Sequence, residues 1–269
     1  MKNSTLILIT ALLAAQAQAG EFSLTLGGMH NATNTSASLG IPILGAKLEV
    51  DGESDLDLTE KSVSPYIKAE YRFNDYHSVY ADWRSLHRHS SANFSSKSKH
   101  LLGSKLDAHA KLDLTLDLDI ARIGYAYRFV SSDSFNLDAM FGIHLMSIKS
   151  EGGVTAGVHK DDKEWFRYNK KANKNTLAPL PNIGLRGSYQ VTPNINITSH
   201  LQAFMLSTRL YDGHLLDANI GLEYQLTDSL SVNASYNHYE VAVEYGDSLL
   251  NSQITMEFSG PMLSLEYQF

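Results

Sequence analysis

Cysteine is absent from all 269 residues, which excludes a disulfide framework, a thiolate metal centre and a thiol nucleophile. Beyond Gly20 no apolar run approaches the roughly 20 residues that a helix needs to span a bilayer. A chain of this kind that lives in a membrane must cross it as a closed set of strands, in which every backbone group is paired. A cationic excess is missing too: 22 Lys+Arg stand against 29 Asp+Glu, a formal net charge of −7, which argues against a nucleic-acid partner. Tryptophan (2) is scarce while tyrosine (14) is not, a balance that fits strands wet on one face and oily on the other.

What is present begins at the front. Lys2 supplies a positive start, Leu6 to Ala15 a short apolar core and Ala17-Gln18-Ala19 a small-x-small cleavage site before Gly20, the pattern of a secretory signal. Residues 1–19 are therefore expected to be removed, leaving 20–269 as one all-β domain.

The other end carries the clearest structural signal. In Ser259-Gly260-Pro261-Met262-Leu263-Ser264-Leu265-Glu266-Tyr267-Gln268-Phe269, apolar residues alternate with polar ones up to a final aromatic, the period of a strand with one oily face. The ending recurs at Glu70-Tyr71-Arg72-Phe73, Ala126-Tyr127-Arg128-Phe129, Ser188-Tyr189-Gln190-Val191 and Glu223-Tyr224-Gln225-Leu226. After these come short turns at 74–77, 130–134, 192–194 and 227–229, rich in Asn, Asp, Ser and Pro. Here the chain resembles bacterial outer-membrane β-barrel proteins, whose terminal strand typically ends in Phe and is read by the barrel assembly machinery. Leu265, Tyr267 and Phe269 are the residues that carry that assembly signal. The resemblance implies a transmembrane antiparallel up-and-down barrel of about ten strands, eight or twelve being compatible, reached by periplasmic transit. The turns launch partner strands at 78–85, 135–148, 195–206 and 230–239, an opening strand lies near 22–29, and long irregular extracellular connections are expected between them.

Alternation assigns the faces. Val63, Ile67, Tyr71, Phe73, Ile123, Tyr125, Tyr127, Phe129, Leu137, Phe141, Ile143, Leu185, Tyr189, Ile197, Leu201, Ile220, Leu222 and Tyr224 are expected to meet lipid. Their neighbours place Lys68, Arg72, Arg84, Arg122, Arg128 and Arg186 inside with Glu70, Asp82, Asp138, Asp217, Glu223 and Glu266. Matched charges in a narrow barrel predict an interior filled by ion-paired side chains rather than an open pore. The apolar parity slips at three places: Leu112 to Ile120 is even where Ile123 to Phe129 is odd, and similar slips occur at 59–63 and 237–239. Either a β-bulge re-aims the strand, or the strands rise above the membrane with an apolar face of their own, which the aspartates among 111–119 favour.

Three connections carry candidate chemistry. Glu49, Asp51, Glu53, Asp55, Asp57 and Glu60 can offer oxygen ligands to Ca²⁺ or Mg²⁺, but without a Gly-centred ligand loop a solvated acidic face is the plainer account, and no metal or cofactor is expected. His87 and His89 share a strand face with no carboxylate to complete a metal set. Lys163, Trp165, Arg167, Lys170 and Lys171 interleave cations with aromatics, as suits contact with the phosphates and sugars of lipopolysaccharide. Barrel enzymes of the omptin protease and lipid A deacylase kinds use carboxylates or Ser with His. Here Asp212-Gly213-His214, expected at a loop tip, and inward His144 and His200 stand without a nucleophile, base and orienting acid in one spacing, so no enzymatic activity is expected. From Tyr211-Asp212-Gly213-His214 to Leu222-Glu223-Tyr224, with Ser259-Gly260-Pro261, the chain also looks like a group of uncharacterised proteobacterial outer-membrane barrels. The expected role is structural or surface interaction, with a narrow porin-like channel as the alternative.

Overall fold

In the computed structural model of the chain, residues 20–41, 46–101, 104–160, 163–207, 211–246 and 251–269 are described, along much of the outermost strand segments as backbone alone. All of the secondary structure they form is strand: β1 (Glu21–Ile41), β2 (Ala46–Asp51), β3 (Lys61–Arg72), β4 (His77–Leu101), β5 (Ser104–Ser131), β6 (Phe135–Lys160), β7 (Lys163–Thr192), β8 (Ile195–Ser207), β9 (Tyr211–Thr227), β10 (Leu230–Gly246) and β11 (Asn251–Gln268). Each barrel strand pairs antiparallel with the next, and β11 returns to β1, Ser23 facing Gln268 and Leu26 facing Leu265. The result is a closed ten-stranded barrel. β2 stands outside that count, hydrogen-bonded to β1 alone from Ser36↔Asp51 to Ile41↔Ala46.

At one end the turns are tight. The Asn74 side-chain carbonyl accepts the backbone N–H groups of Tyr76 and His77, both at 3.0 Å, and the Thr227 hydroxyl accepts those of Ser229 and Leu230 at 3.3 and 3.1 Å, which is how such residues close a reversal. At the other end the first connection is irregular over 52–60, as expected, but the connections expected between β4 and β5 and between β6 and β7 are not. The strands expected to stop at Ser85 and Ile148 continue to Leu101 and Lys160, and the ladders β4/β5 and β6/β7 run out to Leu101↔Ser104 and Lys160↔Lys163. Ladder hydrogen bonds satisfy the backbone whatever the side chains are. A run such as Ser95-Ser96-Lys97-Ser98-Lys99, with no apolar period, reads as loop yet continues the strand, with one register shift between Ser96 and Lys99.

The outward face follows the alternation. Of the residues expected to meet lipid, all are exposed except Tyr71 and Leu137, which are half-buried. Farther from the short turns the pattern inverts. On β5 the even positions face inward without interruption, Leu118, Ile120, Arg122 and Ala126 all being buried, and the register stays unbroken from Leu106 to Arg128. The parity slip is therefore no bulge: apolar residues pass from the outer face at Ile123 to the inner face at Ile120. The same exchange puts Tyr236 outside and Tyr239 inside on β10.

The seam that closes the barrel has one irregularity. Pro261 offers no N–H, and the β1/β11 ladder skips from Met29↔Met262 to Ala32↔Ser259. Gly260 fills the gap at φ 156°, where a Cβ would lie 1.9 Å from the His30 carbonyl oxygen, so no larger residue fits.

Candidate functional site in the barrel lumen

All twelve charged residues assigned to the interior lie on the inner face, in two belts. Nearest the short turns, the Arg186 guanidinium bridges Glu70 at 2.7 Å and Asp138 at 2.8 Å. Arg128 holds the other Asp138 oxygen at 2.9 Å, and Lys68 sits 3.0 Å from Glu70 and 3.9 Å from Glu266. Among the described residues Arg72 has carboxylates only at 3.9 Å, on Glu70 and Glu21. Glu223 has no cation within ion-pair range among the described residues; its nearest polar partner is the Asn196 amide at 3.5 Å.

One step farther along, Arg122 donates to Asp82 at 2.6 Å, Asp217 at 2.9 Å and the Gln202 carbonyl at 2.7 Å. Asp217, fully buried, also takes Arg84 at 3.4 Å and His200 at 3.1 Å. Arg84 lies between the Tyr66 and Tyr239 rings, 5.6 and 5.7 Å from their centroids. Forked guanidinium groups suit this crowding, since each can serve two or three acceptors in one plane. The belts enclose a cavity of about 290 Å³ lined by Lys68, Arg72, Arg128, Glu223 and Glu266 among others, and its lining reaches the short-turn end at Arg72, Asn136 and Ser188.

Above the second belt the lumen turns apolar. Two residues outward from Arg84, Arg122, His144, Gln202 and Asp217 come Leu86, Ile120, Met146, Phe204 and Leu215. With Met29, Leu118, Tyr239, Val241, Met256 and Phe258 they form one packed cluster, to which every barrel strand except β3 contributes. At this height most outward positions are polar, among them Asp119, His214, His238, Glu240 and Glu257, with Leu177 and Met205 as exposed apolar exceptions. This apolar layer, and the Gln202–Tyr80–Asn182 hydrogen bonds beneath it, are what sequence reasoning missed. The parity slip was the signal for the layer. For Gln202 only its inward parity distinguished it.

The remaining candidates divide. In the first connection Glu53 is drawn inward against Arg88, which also donates to the Thr59 carbonyl at 2.9 Å. The backbone N–H of Ser54, its hydroxyl and the Glu53 N–H hold the Asp51 carboxyl below its ordinary value. Those carboxylates are used in the turn, and the described residues contain no cluster of three or more His, Asp or Glu able to hold a metal ion. His87 and His89 are exposed on the outer face of β4. Asp212-Gly213-His214 lies within β9 rather than at a loop tip, with exposed His214 3.0 Å from Glu240. His144 touches Tyr239 and Gln202, both at 3.3 Å, and no Ser or Thr hydroxyl bonds to it or to His200 among the described residues. Lys163, Trp165, Arg167 and Lys170 lie on β7, their side chains outside the described residues, while Lys171 is exposed. Leu265 and Tyr267 on β11 and Phe269 just past its end are exposed. The Phe269 N–H donates to the Phe22 carbonyl at 2.8 Å, and its ring lies 5.4 Å from that of Phe22.

Comparison with known proteins bears on this architecture. No curated protein matches the chain. Among solved structures, the outer-membrane protease OmpT of Escherichia coli superposes with a TM-score of 0.55 at 9% identity, covering 92% of this chain and 97% of that one, a likeness of fold alone. The toluene transporter TodX of Pseudomonas putida gives 0.36 at 12% identity over 94% and 91%, and the attachment invasion locus protein Ail of Yersinia pestis 0.30 at 13% over 93% and 99%. Residues 4–269 match the family described as outer membrane protein beta-barrel domain, and the chain accordingly belongs to that family of bacterial outer-membrane barrels.

Proposed function

We infer that the protein is a non-conducting barrel whose outer hairpins serve surface interaction. The observation that carries this reading is the apolar layer across the lumen. Water and ions crossing it would have to leave hydration behind at side chains that offer no polar partner. The ion-paired belts below add to the case, because a wet pore has no need to match so many charges so closely. Such barrels keep short turns on the periplasmic side and long connections outside, which puts the β4/β5 and β6/β7 hairpins beyond the membrane. The basic stretch Lys163 to Lys171 is the contact we assign to lipopolysaccharide, and Leu265, Tyr267 and Phe269 the stretch read by the assembly machinery after export on the signal at 1–19. No catalytic role is assigned, since no Ser or Thr hydroxyl bonds to the inward histidines among the described residues.

Purified protein in planar bilayers tests the reading. Silence is expected; steady, ion-selective single-channel currents would make a narrow porin-like channel the better account. That second reading is favoured by one feature, the periplasm-facing cavity of about 290 Å³.

A further inference from the structure

The lumen charges are balanced in number but not in pairing. Arg128 commits only its Nε to Asp138, at 2.9 Å, so its two terminal nitrogens have no hydrogen-bond partner among the described residues. Arg72 reaches carboxylates only at 3.9 Å, beyond hydrogen-bond length. Both line the cavity toward its short-turn end. Across it stands Glu223 without a cation, and beside Glu223 is Glu266, whose Lys68 contact is 3.9 Å. In the ring of strands Glu223 on β9 is four steps from Arg128 on β5 and four from Arg72 on β3, close to the widest separation that ten strands allow. One wall therefore presents spare guanidinium donors and the opposite wall a spare carboxylate.

We propose that the periplasm-facing cavity is a binding cup for a small zwitterion, whose carboxylate meets Arg72 and Arg128 while its ammonium meets Glu223. A lone anion would leave Glu223 uncompensated, and a lone cation would do the same to the arginines. A molecule carrying both charges satisfies each wall and adds no net charge to a low-dielectric interior. The volume, about 290 Å³, lies at the small end of ligand sites, roughly 300 Å³ upward, which suits an amino acid or a short peptide with free ends. Asn196 and Asn233 flank the acidic wall, and their amides can serve a peptide group between the two charges. The cup opens to the periplasm whether or not the apolar layer above it conducts.

Full-length protein folded in detergent micelles, titrated calorimetrically with dialanine, tests this. Saturable binding is expected, at least tenfold tighter than that of N-acetyl-dialanine amide, propionate or ethylammonium. Glu223→Gln should weaken dialanine tenfold or more and leave propionate unchanged, whereas Arg72→Gln should weaken both. Glu223→Gln strands no cation, so its folded form should persist, as judged by migration that changes on boiling. It decides the matter even if Arg72→Gln fails to fold. Absence of saturable dialanine binding by the folded protein, equal affinity for the blocked peptide, or an unchanged affinity in Glu223→Gln would each overturn the assignment. Bilayer currents from a protein that still binds dialanine would overturn only the non-conducting reading.

Discussion

Arg122 is held by Asp82, Asp217 and Gln202 at once, so replacing it leaves two buried carboxylates short of a cation. Breaking a buried ion pair costs about 3–5 kcal/mol, and Arg122→Ala should lower the temperature at which the barrel loses its unboiled gel migration. Arg128→Ala should lower it less, because Arg186 still holds Asp138 at 2.8 Å. Lys171→Ala, on an exposed side chain, should leave it unchanged. Equal midpoints for all three would mean that water screens the lumen as it does the surface. Gln202 was not distinguishable beforehand from any other inward polar residue, for its importance comes from Arg122, Asn182 and Tyr80 converging on it from three other strands. That meeting is made by the ring, not by any local pattern.

At the scale of strands and hairpins, β11 is the element that closes the ring, and Phe269, just past its end, bonds to Phe22 on the first strand. Deleting Phe269, or replacing it with Ser, should reduce the amount of boil-sensitive barrel in the outer membrane while secretion continues; normal levels would mean that the terminal aromatic is dispensable. The β6/β7 hairpin makes a separate prediction. Replacing Lys163, Arg167, Lys170 and Lys171 together by Ala should lower the lipopolysaccharide that copurifies with the barrel, without altering its unboiled migration. Undiminished lipopolysaccharide would remove that contact. The membrane-crossing parts of these strands were legible because apolar residues recur every second position there. The outer parts were not, since Ser, His and Lys on both faces leave only the backbone ladder to define a strand. On β5 the aspartates among Asp113 to Asp119 set this segment apart from the apolar outer face below it, but did not show where its leucines face.

Over the whole molecule, one exchange of faces accounts for the architecture. Toward the short turns the barrel is apolar outward and charged inward; farther along it is largely polar outward, Leu177 and Met205 excepted, and packed inward like a soluble sandwich around Leu118, Ile120, Met146 and Phe258. The solvent on each side dictates this, because lipid takes apolar side chains that water drives to the interior. The chain's lack of cysteine makes it a clean background for single-cysteine labelling along β5 with a membrane-impermeant maleimide, applied to intact cells and to the purified barrel. Asp117→Cys and Asp119→Cys should label readily, and Leu118→Cys and Ile120→Cys should not label from either side. Labelling of Leu118→Cys or Ile120→Cys as fast as Asp119→Cys, in barrels that retain their unboiled migration, would contradict the account by placing water where the apolar layer should be.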